Sequence, residues 1–246
     1  MRYALLADIH GNLEAFVAVL GDMGAQGGCD EILCLGDVVG YGPDPHECIQ
    51  LLRQRQHVCV AGNHDWAAIG RIDTGDFNPH AAAAASWTSA HLDPGDAEYL
   101  GQLPTRLVRD DLTLVHGSPR EPVWEYLFSP SDAAENLDYF DTRLCAVGHT
   151  HMPVLFRCPG EGGEYCVAEH LPLGESMSLV GGRLIVNPGG VGQPRDGDPR
   201  ASYVIFDADA AVIVHRRVEY DIALTQAKMS RAGLPPPLIL RLSYGR

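Results

Sequence analysis

Asp8 and His10 stand one residue apart, Asp37 follows a glycine, Asn63, His64 and Asp65 run consecutively, His116 precedes a glycine, and His149 and His151 repeat the one-residue gap. Carboxylates, a carboxamide and imidazoles are oxygen and nitrogen donors. Without a thiolate among them they suit Mn, Fe, Co, Ni or Zn. The ligands add up to a two-metal site. Two ions about 3.5 to 4 Å apart can share a water, lower its pKa, hold it as hydroxide and bind the phosphoryl oxygens of an in-line displacement.

Each block ends an apolar run, at 2–8, 31–37, 57–64, 112–116 and 144–151. In an open α/β sheet the functional crevice lies beyond the carboxyl ends of the strands, so such runs deliver their ligands to one place. Asp8 and His10, at i and i+2, share a face if strand geometry persists. Asn12 is placed to cap a helix carrying Leu13, Phe16, Val17 and Leu20 at helical spacing, and Asp44-Pro45-His46-Glu47 has the layout of a second helix start. The first third therefore reads strand, helix, strand, helix, strand.

The stretch 66–110 shows no strand pattern, and Asn78-Pro79 and Asp93-Pro94 read as helix starts, which predicts a helical insertion beside the site. Ser129-Pro130 predicts a helix through Phe140. Beyond Met152, runs at 154–157, 164–168, 183–187, 202–206 and 211–218 predict a second, largely antiparallel sheet, with a hairpin turn at 207–210 and a helix opened by Asp221. With 246 residues and 46% hydrophobic content the chain is read as one domain, 1–246.

Taken in order, Asp-x-His, Gly-Asp, Gly-Asn-His-Asp, His-Gly and Gly-His-Thr-His resemble the ordered blocks of the calcineurin-like metallophosphoesterase family. The stretch Asn187-Pro188-Gly189-Gly190 through Asp196 is similar to its bacterial phosphodiesterase and phosphatase branch. The resemblance implies an α/β fold of two packed mixed sheets flanked by helices, a four-layer αββα sandwich. It also implies that Asp8, His10 and His151 hold one ion, that Asn63, His116 and His149 hold a second, and that Asp37 bridges them. His64 would protonate the leaving oxygen or stabilise the transition state, oriented by Asp65. Hydrolysis of a small phosphodiester or nucleotide is the favoured activity. The alternatives are a phosphomonoesterase acting on proteins or small molecules, and a metal-bound regulatory module without turnover.

Outside the metal blocks, Arg195 and Arg120 are candidates to grip a substrate phosphate, since the planar guanidinium fork matches phosphate oxygens. Tyr41 is a candidate pocket wall. Trp66, Phe77, Trp87 and Tyr99 offer faces on which a base could stack. His46, His57, His80, His91, His170 and His215 are read as non-ligands. A formal charge of −14 argues against duplex nucleic acid and anionic membranes as partners, whereas two divalent ions would leave the site locally positive toward a small phosphorylated substrate. The seven cysteines form no Cys-x-x-Cys pair, and Cys34, Cys59 and Cys145 lie within apolar runs, which predicts buried reduced thiols rather than disulfides. Residues from Met1 read into a strand without the pattern of a signal peptide, which predicts a cytoplasmic protein.

Overall fold

A computed structural model of the chain describes residues 1–159 and 165–246. The five apolar runs are strands, but two sheets share them. Strands β1 (Arg2–Leu6), β2 (Glu31–Cys34) and β3 (His57–Cys59) pair in parallel. Strands β5 (Leu112–Val115) and β6 (Leu144–Ala146) pair in parallel elsewhere, and β4 (Arg106–Arg109) runs antiparallel along β5. Residues 106–109 thus form a strand that the reading of 66–110 as purely helical missed. They are mostly exposed at a sheet edge, so they lack the apolar signature of an interior strand.

The later strands are β7 (Val154–Cys158), β8 (Val167–Glu169), β9 (Ser176–Ser178), β10 (Arg183–Asn187), β11 (Ala201–Asp207) and β12 (Val212–Val218). They do not form a sheet of their own, as the pattern of short strands had suggested. β11, β12 and β9 extend the first sheet in the order β3-β2-β1-β11-β12-β9, and β10, β7 and β8 extend the second in the order β4-β5-β6-β10-β7-β8. β11 covers the open edge of β1 and β10 that of β6, satisfying backbone groups that a free edge would leave unpaired. The predicted strand at 164–168 is found at Val167–Glu169, and its residue 164 lies outside the described residues.

Both faces of each sheet are buried, which is why the runs read as nearly continuous apolar sequence. Tyr3, Leu5, Leu33 and Leu35 meet Leu112, Leu114, Leu144, Ala146 and Leu184 between the sheets. The alternate residues Ala4, Leu6, Ile32 and Cys34 face Phe16 and Val19 of α1 (Leu13–Ala25) and Cys48, Ile49 and Leu52 of α2 (Pro45–Arg53). Val115, Cys145 and Ile185 face Ala133, Leu137 and Phe140 on the far side of the second sheet. The architecture is a helix, sheet, sheet, helix sandwich.

Helices α3 (Asn63–Ala68), α4 (Pro79–Ser89) and α5 (Pro94–Gln102) make up the insertion. The helix expected through Phe140 is shorter: α6 (Pro130–Glu135) gives way to a 3₁₀ turn, Leu137–Tyr139, at Asn136, whose amide is held by Glu125. Asp221 caps α7 (Ile222–Arg231) by accepting from the Leu224 N–H at 2.9 Å, and α8 (Pro236–Arg241) follows. Cys34, Cys48, Cys59 and Cys145 are buried thiols and Cys29 is half-buried, whereas Cys158 and Cys166 form a disulfide, contrary to the expectation for all seven. Their Cα atoms lie 4.1 Å apart, a proximity that spacing alone does not reveal. No helix of the described residues is long and apolar enough to cross a membrane.

Candidate metal centre

The ligands lie beyond their strands, in connections whose backbone is not extended. Asp8, His10, Asp37, Tyr41, His149 and His151 all have positive φ, between 51° and 65°, and only Asp110 and Ala211 join them among the described non-glycine residues. Asp8 and His10 therefore converge through two left-handed residues, not through strand alternation. Such conformations are costly for residues with a Cβ and persist where the surroundings over-determine them. Here the His10 N–H donates to Asp37 O at 2.9 Å, and the Asp8 N–H to Gly36 O at 3.1 Å. Gly62 is needed for the close approach, since a Cβ there would lie 2.0 Å from Asp37 Oδ1.

Two buried groups result: Asp8, His10 and His151, and Asp37, His116 and His149. Within each, one ligand atom per residue lies within 4.8 Å of the others. Both groups draw on both sheets. His151 Nε2 is 3.3 Å from Asp8 Oδ1, and His116 Nε2 is 3.3 Å from Asp37 Oδ2. Asp37 Oδ2 also lies 3.7 Å from His10 Nε2, so one oxygen faces both groups. Asn63 Oδ1 reaches 3.1 Å from His116 Nε2 and joins the second.

The outer nitrogens fix what the inner ones offer. The Nδ1 atoms of His10, His116 and His151 donate to the carbonyls of Val39, Leu35 and Gln193, and His149 Nε2 donates to that of Trp124. Each ring then presents a lone pair to the centre, where it meets other acceptors. Asp8 Oδ1 and Asp37 Oδ2 are buried without a hydrogen-bond partner. A convergence of carboxylate oxygens and inward-facing imidazole nitrogens fits divalent cations, and the carbonyls supply the outer support that metal-bound imidazoles ordinarily have.

Electrostatics agree. Burial pushes the Asp8 carboxyl up to about 7 and the His10, His149 and His151 imidazoles well down. Burial would raise Asp37 too, but His116 and His64 hold it below the usual carboxylate range. Burial lowers His116, and the Asp37 carboxylate reverses this and lifts it to about 9. The group draws positive charge to a nitrogen that a metal would take.

His64 lies beside both groups: its N–H donates to Asp37 Oδ1 at 2.8 Å, and its ring is 4.9 Å from that of His10 and 4.3 Å from that of Tyr41. Asp65 does not orient it. The Asp65 carboxylate accepts from the backbone N–H groups of Asp37, Val39 and Gly62, and His64 Nδ1 has no partner. Asp65 instead holds the bend that carries Asp37. Arg195 donates to Gln193 Oε1 at 3.2 Å, lies over the Tyr41 ring at 5.8 Å, and has no carboxylate partner among the described residues. Arg120 is already engaged, donating to Glu125 and Glu135. Of the insertion's aromatics only Phe77 reaches the site, 4.9 Å from His64. Trp66 and Tyr99 pack on the first sheet and Trp87 on His91. His46, paired with Asp93 and Asp96, and the other five histidines read as non-ligands stand outside both groups.

Asn187 was not singled out by its chemistry, although it stands in the Asn-Pro-Gly-Gly stretch. Its amide donates to Gly148 O at 2.6 Å and Thr150 Oγ1 at 2.9 Å, bracing the connection that carries His149 and His151.

The chain is 49% identical to a metallophosphoesterase from Sphaerobacter thermophilus of known structure, with a TM-score of 0.90 and coverage of 100% of this chain and 99% of that one. It is 38% identical over 248 residues to the uncharacterized protein MJ0912 of Methanocaldococcus jannaschii, 99% of this chain and 98% of that protein. Phosphodiesterase YfcE of Escherichia coli is 28% identical over 225 residues, covering 87% of this chain and 91% of that enzyme. The model of the calcineurin-like phosphoesterase superfamily domain matches residues 1–211. The chain therefore belongs to the calcineurin-like phosphoesterase superfamily and is a metal-dependent phosphoesterase.

Proposed function

We propose that the chain hydrolyses a small phosphodiester or nucleotide at a pair of divalent cations held by Asp8, His10 and His151 on one side and Asn63, His116 and His149 on the other, with Asp37 shared. The observation that carries this is Asp37 Oδ2, buried without a hydrogen-bond partner and facing both ligand groups. Bound there, the cations would supply Lewis acidity toward the phosphoryl oxygens and acidify the attacking water. Arg195, without a carboxylate of its own, binds the phosphate and offsets its charge. Burial holds His64 down to about 4, so the free site carries a neutral ring. A phosphate anion beside it favours the protonated form, which can pass a proton to the leaving oxygen. A global charge of −14 discourages large polyanions and leaves recognition to the local field of the site. YfcE, named a phosphodiesterase, supports the diester preference.

The test is turnover of bis-p-nitrophenyl phosphate against p-nitrophenyl phosphate and phosphopeptides by metal-loaded protein, with and without chelator, together with elemental analysis. Chelator-sensitive hydrolysis of the diester and two metals per chain are expected, falling toward one or none in Asp37→Asn. Two tightly held metals in that variant would remove the shared ligand from the scheme. Phosphopeptide turnover at least as efficient as diester turnover would remove the substrate preference.

A further inference from the structure

The loop after β5 shows three aromatic rings to solvent: Trp124, Tyr126 and Phe128 are 37%, 42% and 62% exposed. Its backbone is nevertheless pinned. The N–H groups of Ser118, Trp124 and Glu125 all donate to Glu121 O, and the Glu125 carboxylate gathers Ser118, Arg120 and Asn136. The turn 118–125 that leads into the rings is thus fixed, which lowers the entropy lost when a ligand docks on them.

They are also aligned with the centre. Tyr126 stacks on His149 with centroids 3.8 Å apart and planes 18° apart, and Phe128 stacks on Tyr126 at 5.3 Å and 9°. This column of near-parallel rings leads outward from a metal-ligand residue. Phe128 further walls a groove of about 240 Å³ with Thr150, Met152, Val154, Ala168 and His170. Thr150 is the residue between His149 and His151, so the groove opens at the metal-binding block itself.

We propose that this groove, with Phe128 as its stacking face, is a nucleobase subsite, so that the ester cleaved at the centre is carried by a nucleoside; the inference rests on the phosphoesterase reading above. The groove is smaller than the roughly 300–1,000 Å³ clefts that take drug-sized ligands, which suits one planar ring system. In this arrangement the phosphate lies at the metals, the base against Phe128 and the sugar between them, beside Thr150. Aromatic stacking is indifferent to which base is presented, so the subsite selects nucleosides as a class.

Titration calorimetry of the metal-loaded full chain with AMP and with ribose 5-phosphate tests this, because the two share phosphate and sugar and differ in the base. AMP is expected to bind about 5- to 150-fold more tightly, the equivalent of one stacked base. Phe128→Ala should bring that ratio close to one without changing the ribose 5-phosphate affinity, and Phe128→Tyr should retain it. Equal affinities in the parent protein, or a preference that survives Phe128→Ala, would overturn the subsite. Methyl p-nitrophenyl phosphate, followed in parallel, reports the hydrolase reading separately. Its turnover without an AMP preference defeats the subsite alone, and an AMP preference without its turnover supports the subsite and defeats the proposed diester hydrolysis.

Discussion

The Nε2 atoms of His10 and His151 lie 3.3 Å apart while the Nδ1 of each ring donates to a backbone carbonyl, so two lone pairs point at one another across the first ligand group. A proton or a cation must stand between them to relieve the repulsion. Burial pushes both rings well below the usual imidazole range, which leaves a metal as the natural occupant.

Metal binding should accordingly stabilise the fold. At a free metal concentration of 100 times the dissociation constant the gain is about 2.7 kcal/mol, or a rise in Tm of about 5–11 °C for a chain of this size. Differential scanning calorimetry with and without a chelator reads it. A Tm unchanged by chelation would mean that the acceptor groups are satisfied without an ion.

His64→Ala should keep the metals and lower turnover by about 10² to 10⁴, the range for a positioned proton donor. The loss should shrink for aryl esters, whose leaving groups need little protonation. Kinetics across esters of graded leaving-group pKa are the measurement, and an equal loss throughout would leave His64 a role in transition-state binding only.

Arg195→Ala should raise KM while metal content and fold stay intact, and Arg195→Lys should restore binding only in part because the fork is lost. Arg120→Ala should leave the KM for an unadorned phosphodiester unchanged, its donors being engaged by Glu125 and Glu135. Steady-state kinetics of the two variants separate the residues. Parent-like KM in Arg195→Ala would reject phosphate contact.

His215 provides a pH dependence outside both ligand groups. Its ring is buried 2.9 Å from Ser202 Oγ, and burial pushes it down to about 4. Between that value and about 6.5 the unfolded chain takes up a proton that the folded chain refuses, so this residue removes stability as pH falls through the window. The penalty grows to about 2–3 kcal/mol near pH 4. His215→Gln should flatten that part of the profile relative to the parent in urea unfolding with chelator present in both. Parallel profiles would show that folding does not lower the ring's affinity for the proton.

The metal blocks were legible because each closes its own apolar strand, so chain order alone brings Asp8, Asp37, Asn63, His116 and His149 to strand ends. The route of the backbone between strand and ligand was not. Left-handed φ at Asp8 and His10 depends on the carbonyls of Gly36 and Asp37, which lie far along the chain. Asp65 looked like a partner for the histidine beside it, but the N–H groups of the Asp37 bend compete for its oxygens and win. The same limit hid the partners of β10 and β11. Alternation shows that a strand has a buried face, and only tertiary packing decides which sheet's edge it covers.

Because Asp8 and His10 leave one sheet and His151 the other, while Asp37 leaves the first and His116 and His149 the second, each ion would act as a rivet through both layers. A slip of one sheet against the other by even part of a strand spacing would pull both coordination spheres apart at once. A fragment that kept a single sheet could complete neither of them. The metal-loaded state thus reports the registry of the whole sandwich, and the rate at which ions escape becomes a gauge of how often the two layers slide.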